Sequence, residues 1–302
     1  MRLPDLAQVA RRVRASVPKK TSQHAPSFSF TVTQPNTPHS EHEPDFEANQ
    51  GPDAREKPMG FFEHLEELRW TLVKSAIAFV IAAALVGYFL KEFNHIVMWP
   101  LTTIAKEYPK VSLELGTTTI MEGFSVVIQM CTIGGLLIAA PAIVYFFGQF
   151  VAPALTAREL KLVVPVGLSA VLLFLLGSVF SFFLLVPSTI RVSIELNQLF
   201  DFALRWTPAA YYGLLTWLVL GVGASFEFPL LIILAVYIGI LEVETLRKYR
   251  RHAIIAIFVI AAFVTPTPDP FTQTMFAGPL YVLYEVAIFA GARITKRRSR
   301  VT

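Results

Sequence analysis

A single cysteine in 302 residues, Cys131, set inside an apolar run, excludes a disulfide framework and a cysteine metal cluster. It reads as a packing residue. Charge is scarce too: 16% of residues are charged against 54% hydrophobic, and mean hydropathy is +0.54. A soluble domain could not hide that much apolar surface, so the composition is that of a membrane protein. Also missing are a nucleotide loop, a group of metal ligands at workable spacing, and a nucleophile beside a base. The stretch Gly221 to Ser225 lies within an apolar run and lacks a phosphate-binding lysine, so it reads as small-residue packing. His64 and His252 stand isolated. We therefore expect no enzyme, no cofactor and no metal. A net charge of +4 and a pI of about 9.2 do not imply nucleic acid, because the basic residues sit in short clusters between apolar runs.

Residues 1–58 differ from the rest. They are rich in Ser, Thr, Pro, Gln and His and cannot bury enough apolar surface to offset ordering entropy. We read them as a disordered cytoplasmic extension. Arg2, Arg11, Arg12, Arg14, Lys19 and Lys20 also suit a membrane-surface helix or an organellar transit peptide. No apolar segment follows the arginines as it would in a secretory signal. From Trp70 onward the apolar runs approach the roughly 20 residues a helix needs to cross a bilayer. The expected spans are Trp70–Leu90, Val126–Phe147, Leu162–Val186, Ala210–Gly239, Ala253–Val264 and Thr274–Ala290. The fourth is long enough to tilt. The last two are short and are separated by Thr265-Pro266-Thr267-Pro268-Asp269-Pro270, whose prolines cannot continue a helix. Lys and Arg concentrate before span 1, in the loops after spans 2 and 4, and behind span 6, which predicts both termini on the cytoplasmic side. The fold class is thus an all-α integral membrane protein with six spans over 59–297 and a basic tail at 298–302.

Three features could carry function. Phe61, Leu65, Leu68 and Leu72 form an apolar stripe on a helix leading into span 1, with Glu63, Glu66 and Glu67 on the other side. Like charges four residues apart cost an isolated helix a few tenths of a kcal/mol, on the order of 0.2–0.5. Either Glu66 pairs with Arg69 at a solvated interface, or the carboxylates await a cationic partner, since carboxylates pair bidentately with guanidinium. Glu159, in the loop opening Phe150-Val151-Ala152-Pro153-Ala154-Leu155, is a second carboxylate on that side, or an ordinary surface residue beside Arg158 and Lys161. Glu227 stands in Ser225-Phe226-Glu227-Phe228-Pro229, deep in span 4. An ionised residue at a span centre costs about 2.5–3.5 kcal/mol, so it faces protein or water and is protonated or paired. Pro229 releases the Ser225 carbonyl and predicts a kink there. Glu285, nearer the end of span 6, reads as a snorkelling residue. A proton-coupled transporter of a small solute using Glu227 is the competing reading, although spans 1–3 and 4–6 show no repeat.

The sequence His64-Leu65-Glu66-Glu67-Leu68-Arg69, the Phe150 to Leu155 loop with Glu159, Ser225 to Pro229, and Thr265-Pro266 followed by Asp269, Phe271 and Gln273 occur in this order. Over about 59–297 the chain resembles TatC, the receptor subunit of the twin-arginine (Sec-independent) protein translocase. One departure is an extra residue in Thr265-Pro266-Thr267-Pro268-Asp269, where that family often has a shorter turn. The resemblance implies a concave six-span scaffold whose Glu67, Arg69, Phe150, Leu155 and Glu159 bind twin-arginine signal peptides of folded precursors. It implies an intramembrane role for Glu227, and assembly or partner contacts at Pro100, Asp269, Phe271 and Gln273. The implied partners are single-span TatA-like and TatB-like proteins in a multi-copy complex driven by the proton-motive force. The implied location is the bacterial inner membrane, with the thylakoid as the other host of the fold.

Overall fold

The computed structural model describes residues 61–109, 111, 113–202, 205–266 and 269–298. The extension 1–58, the turn residues Thr267 and Pro268, and residues 299–302 of the tail lie outside the described residues. Every regular element described is helical. Five stretches are long and apolar enough to cross a membrane: Phe62–Tyr88, Glu122–Val151, Glu159–Leu199, Pro208–Ile238 and Pro270–Lys296. The chain is a multi-pass membrane protein.

The first long helix, α1 (Phe61–Tyr88), absorbs both the acidic segment and span 1 in one 28-residue rod. It lies along α4 (Glu122–Val151). Small residues set the spacing. A Cβ added at Gly135 would come within 3.1 Å of the Ala83 backbone, and one at Gly87 within 3.6 Å of the Cys131 sulfur. Lipid tails are as apolar as leucine, so helix association in a membrane depends on such close packing. Cys131 is the packing residue expected.

Between these two helices come α2 (Leu90–Val97) and α3 (Trp99–Glu107), short pieces that no apolar run announces. Span 3 is also longer than expected. The helix α5 (Ala157–Phe180) passes through a π turn, Ser181–Leu185, into α6 (Val186–Leu199) without ending. Pro187, which lacks a donor and crowds the preceding turn, explains the local widening. The added length carries α6 beyond the apolar span to meet α3. Val97, Leu101 and Ile104 there share a core with Val186, Ile190 and Ile194 and with Tyr211, Leu215 and Leu218.

Span 4 divides. α7 (Pro208–Ser225) and α8 (Phe228–Ile238) are separated by Phe226 and Glu227, three and two residues before Pro229, whose missing donor breaks the helix here as the sequence predicts. The helix resumes through Leu231 N–H donating to the Glu227 carbonyl at 3.1 Å. Gly223 crosses Gly177 of α5, and a Cβ on Gly223 would sit 2.5 Å from Ser178 Oγ. The small-residue reading of Gly221 to Ser225 is thereby explained.

After α9 (Val243–Lys248), α10 (Arg250–Val264) has 15 residues and α11 (Pro270–Arg298) has 29. α10 is as short as expected. Its rise of about 22 Å falls below a hydrocarbon core of about 30 Å. Its last carbonyl does not go unpaired, because Trp217 Nε1–H donates to Val264 O at 2.8 Å. The expectation that span 6 is short is corrected: α11 starts at Pro270 and continues past Ala290 through Arg293 and Lys296, since charged residues end an apolar run without ending a helix. A second core gathers Phe226, Ile257, Ala261, Phe276, Leu280 and Ile288 around α7, α10 and α11.

Candidate functional site

The acidic face of α1 opens onto α4. Glu63, Glu66, Glu67, Trp70, Thr71 and Lys74 lie on adjoining helical positions, and with Phe146, Gln149 and Phe150 they line a cleft of about 480 Å³. Among the described residues three carboxylates and a single lysine therefore share one concavity. His64, which the sequence reading left isolated, stacks on Phe150 with ring centroids 4.4 Å apart and an interplanar angle of 21°. Its Nδ1 lies 4.0 Å from Glu67 Oε2, too far for a hydrogen bond. That oxygen is buried and accepts no hydrogen bond among the described residues. The i, i+3 spacing of His64 and Glu67 could have shown this contact; the stacking on Phe150, contributed by another helix, could not.

The neighbouring loop is built differently. α4 ends in a 3₁₀ turn, Ala152–Ala154, after which half-buried Leu155 is extended. Thr156 then caps α5. Its backbone N–H and its hydroxyl each donate to Glu159 Oε2 at 2.9 Å, and the Glu159 N–H reaches back to the Thr156 side chain to complete a capping box. Glu159 is therefore more than a surface carboxylate, and the pattern Thr-Ala-Arg-Glu is legible in sequence. Arg69 is exposed, and the Glu66–Arg69 pair, one of the two alternatives for this face, does not form among the described residues.

Glu227 falls at the α7–α8 break with its carboxyl beside the Phe174 backbone of α5. Its Oε1 is buried and has no hydrogen-bond partner among the described residues. A buried, unmatched acceptor costs about 1–3 kcal/mol. Glu285 differs from expectation: it does not merely snorkel but accepts from Arg250 Nη2 at 2.8 Å and from the Tyr281 hydroxyl at 3.0 Å. The reason is that α10 places Arg250 against that turn of α11.

The residues around the last two helices hold the fold together. Asp269 caps α11 by accepting from the Thr272 N–H at 2.6 Å, with Pro270 at the first helical position. Gln273 Nε2 donates to Phe258 O of α10 at 2.9 Å. Phe271 between them is 66% exposed. Pro100 is buried in the first turn of α3. Among the described residues no cluster of three His, Cys, Asp or Glu could hold a metal ion.

Comparison with known proteins places this geometry in a family. Residues 63–279 match the family model described as TatC, Sec-independent protein translocase protein. The TatC protein of Aquifex aeolicus (strain VF5) is 34% identical over 244 residues, covering 80% of this chain and 99% of the relative. That of Escherichia coli (strain K12) is 33% identical over 235 residues, covering 75% and 85%. Among solved structures, the crystal structure of the twin arginine translocase receptor TatC in DDM superposes with a TM-score of 0.65 at 34% identity, covering 76% of this chain and 99% of that one. A second crystal structure of the same receptor gives 0.63. These relatives are all translocase proteins, which leaves the solute-transporter reading of Glu227 without support.

Proposed function

The chain belongs to the TatC family of Sec-independent protein translocase proteins, and on that premise we propose that its α1–α4 cleft holds the paired arginines of a signal peptide. The observation that carries this reading is the buried, unbonded Oε2 of Glu67 in a cleft lined by three carboxylates. A guanidinium forks onto a carboxylate through two parallel N–H donors, whereas an ammonium offers a point charge. Arginine therefore binds such a cleft better than lysine does. Phe150, fixed by His64, supplies a face on which a guanidinium stem can rest. Glu159, in the first turn of α5, adds a further carboxylate, with Leu155 and Arg69 at the margin.

In this reading the Glu67 end of the bundle is cytoplasmic and both termini lie on that side, as the distribution of Lys and Arg supports. The host is a bacterial inner membrane, or a thylakoid. TatA-like and TatB-like single-span proteins assemble with it in a multi-copy complex that moves folded precursors. Glu227 meets a signal peptide or a partner helix within the membrane. Exposed Phe271 is a partner contact, and Pro100, Asp269 and Gln273 act through the geometry they maintain. Residues 1–58, 59–297 and 298–302 serve as extension, membrane domain and tail.

The test is photocrosslinking of a two-arginine precursor to membranes carrying Glu67→Ala or Glu159→Ala. Both variants are expected to insert normally and lose the crosslink; wild-type crosslinking by both would remove the site. Orientation is checked separately with a cysteine at Asp269 in a Cys131-free variant, which is expected to be labelled from outside the cytoplasm.

A further inference from the structure

At the end of the bundle far from Glu67 a second concavity has the makings of a lipid site. The helix α2 follows α1 directly and turns Leu90, Phe93 and Val97 into the core. Lys91 and His95, one turn apart, face the other way and line a groove of about 720 Å³ with Asn94. Among the described residues no carboxylate lines it. The Tyr212 hydroxyl donates to Asn94 Oδ1 and so fixes that amide, leaving its NH₂ as a donor. Trp99 forms the floor, with ring centroids 6.1 Å from Phe182 and 5.0 Å from Phe183. Exposed Trp at the end of a span marks the level of the headgroups.

The groove runs into a second space. A cavity of about 250 Å³ shares Ile96, Phe182 and Phe183 with it and is otherwise lined by apolar groups and Ser178. Beyond it, Leu168, Leu172, Leu176, Val179 and Phe183 are all exposed at helical spacing, a continuous apolar track down α5. Cationic and amide donors thus sit at the membrane surface, directly above a dry slot and an apolar track of acyl-chain character. A soluble anion would use only the first of these, and a transmembrane helix of a partner would have no use for the slot.

We propose that this groove and slot bind one anionic phospholipid, its phosphate held by Lys91, Asn94 and His95 and an acyl chain seated between Ile96, Phe182 and Phe183. The site is independent of the arginine cleft. The experiment is native mass spectrometry of the full chain, purified in detergent and titrated with phosphatidylglycerol, phosphatidylcholine or inorganic phosphate. Wild-type protein is expected to retain one phosphatidylglycerol at least fivefold more than phosphatidylcholine, and inorganic phosphate is expected not to compete. Lys91→Gln with His95→Gln is expected to abolish the preference between the two lipids. Val179→Trp, which fills the slot, is expected to lower retention of both. Equal retention of the two lipids by wild-type protein, a preference that survives the double substitution, or displacement by inorganic phosphate would each overturn the proposal. Circular dichroism of each variant in the same detergent verifies that a lost adduct is not lost fold.

Discussion

The two ends of the bundle treat charge in opposite ways. At the α1 N-terminal end, Glu63, Glu66 and Glu67 crowd one cleft with, among the described residues, a single lysine and no hydrogen bond to a buried Glu67 oxygen. At the other end two carboxylates are matched. Arg191 donates to Glu107 through two bonds of 2.9 and 2.8 Å, and buried Glu122 accepts from both the N–H and the hydroxyl of Thr118. The packing follows the same division, since Ile104 is fully buried while Leu65 is 45% exposed. One end is finished at these two carboxylates by its own residues, and the function proposed for the other assigns the missing cation to a ligand. Polar groups left unmatched inside a fold raise its energy, so the buried, unbonded Glu67 oxygen beside two further carboxylates supports the cation-binding role proposed for this cleft.

The widest contrast is expected from truncating one aliphatic residue at each end. Ile104→Ala leaves a cavity in the core shared by α3, α6 and α7 and is expected to cost about 2–5 kcal/mol. Leu65→Ala, on the face away from the cleft, is expected to leave stability and precursor capture nearly unchanged. Thermal unfolding in detergent, beside a crosslinking assay, separates the two outcomes. Equal destabilisation would erase the distinction between the ends.

A finer division concerns Glu159, which both caps α5 and is offered to the signal peptide. Thr156→Ala removes the cap hydroxyl but keeps the carboxylate, and is expected to cost about 0.5–2 kcal/mol with binding retained. Glu159→Ala is expected to lose stability and binding together. If Thr156→Ala abolishes binding equally, Glu159 acts as a cap only.

The smallest effect is expected at the matched, exposed pair. The hydrogen bond from Arg191 holds the Glu107 carboxyl below the usual carboxylate range. Its contribution is therefore present above the unfolded-state value and is lost as pH falls through the lower folded-state value. Glu107→Gln is expected to lower the melting temperature slightly at neutral pH, and the difference from wild type is expected to vanish in acid. Solvent and salt screen such a pair, so raising ionic strength is expected to shrink the difference as well.

What could be read in the sequence divides along the same line. Apolar runs located the first four spans, and Pro229 located the break that places Glu227 between α7 and α8. The finished end was largely invisible. The helices α2, α3 and α6 mix polar and apolar residues, so no window of hydropathy marks them, and their core forms only when α6 outruns its span. The length of α11 was missed because Arg293 and Lys296 continue a helix that hydropathy ends at Ala290. In the cleft, the positions of Glu63, Glu67 and Lys74 follow from helical spacing. The stacking of His64 on Phe150, and the pairing of Glu285 with Arg250, depend on contacts between helices far apart in sequence.

The most direct measurement is a double-mutant cycle between the cleft and its ligand, comparing peptides bearing Arg-Arg and Lys-Lys on wild-type and Glu67→Ala protein. If the carboxylate forks onto a guanidinium, wild type favours Arg-Arg at least tenfold and the preference falls to about one in Glu67→Ala, a coupling of about 1.4 kcal/mol or more. An Arg-Arg preference undiminished by Glu67→Ala would contradict arginine recognition in this cleft.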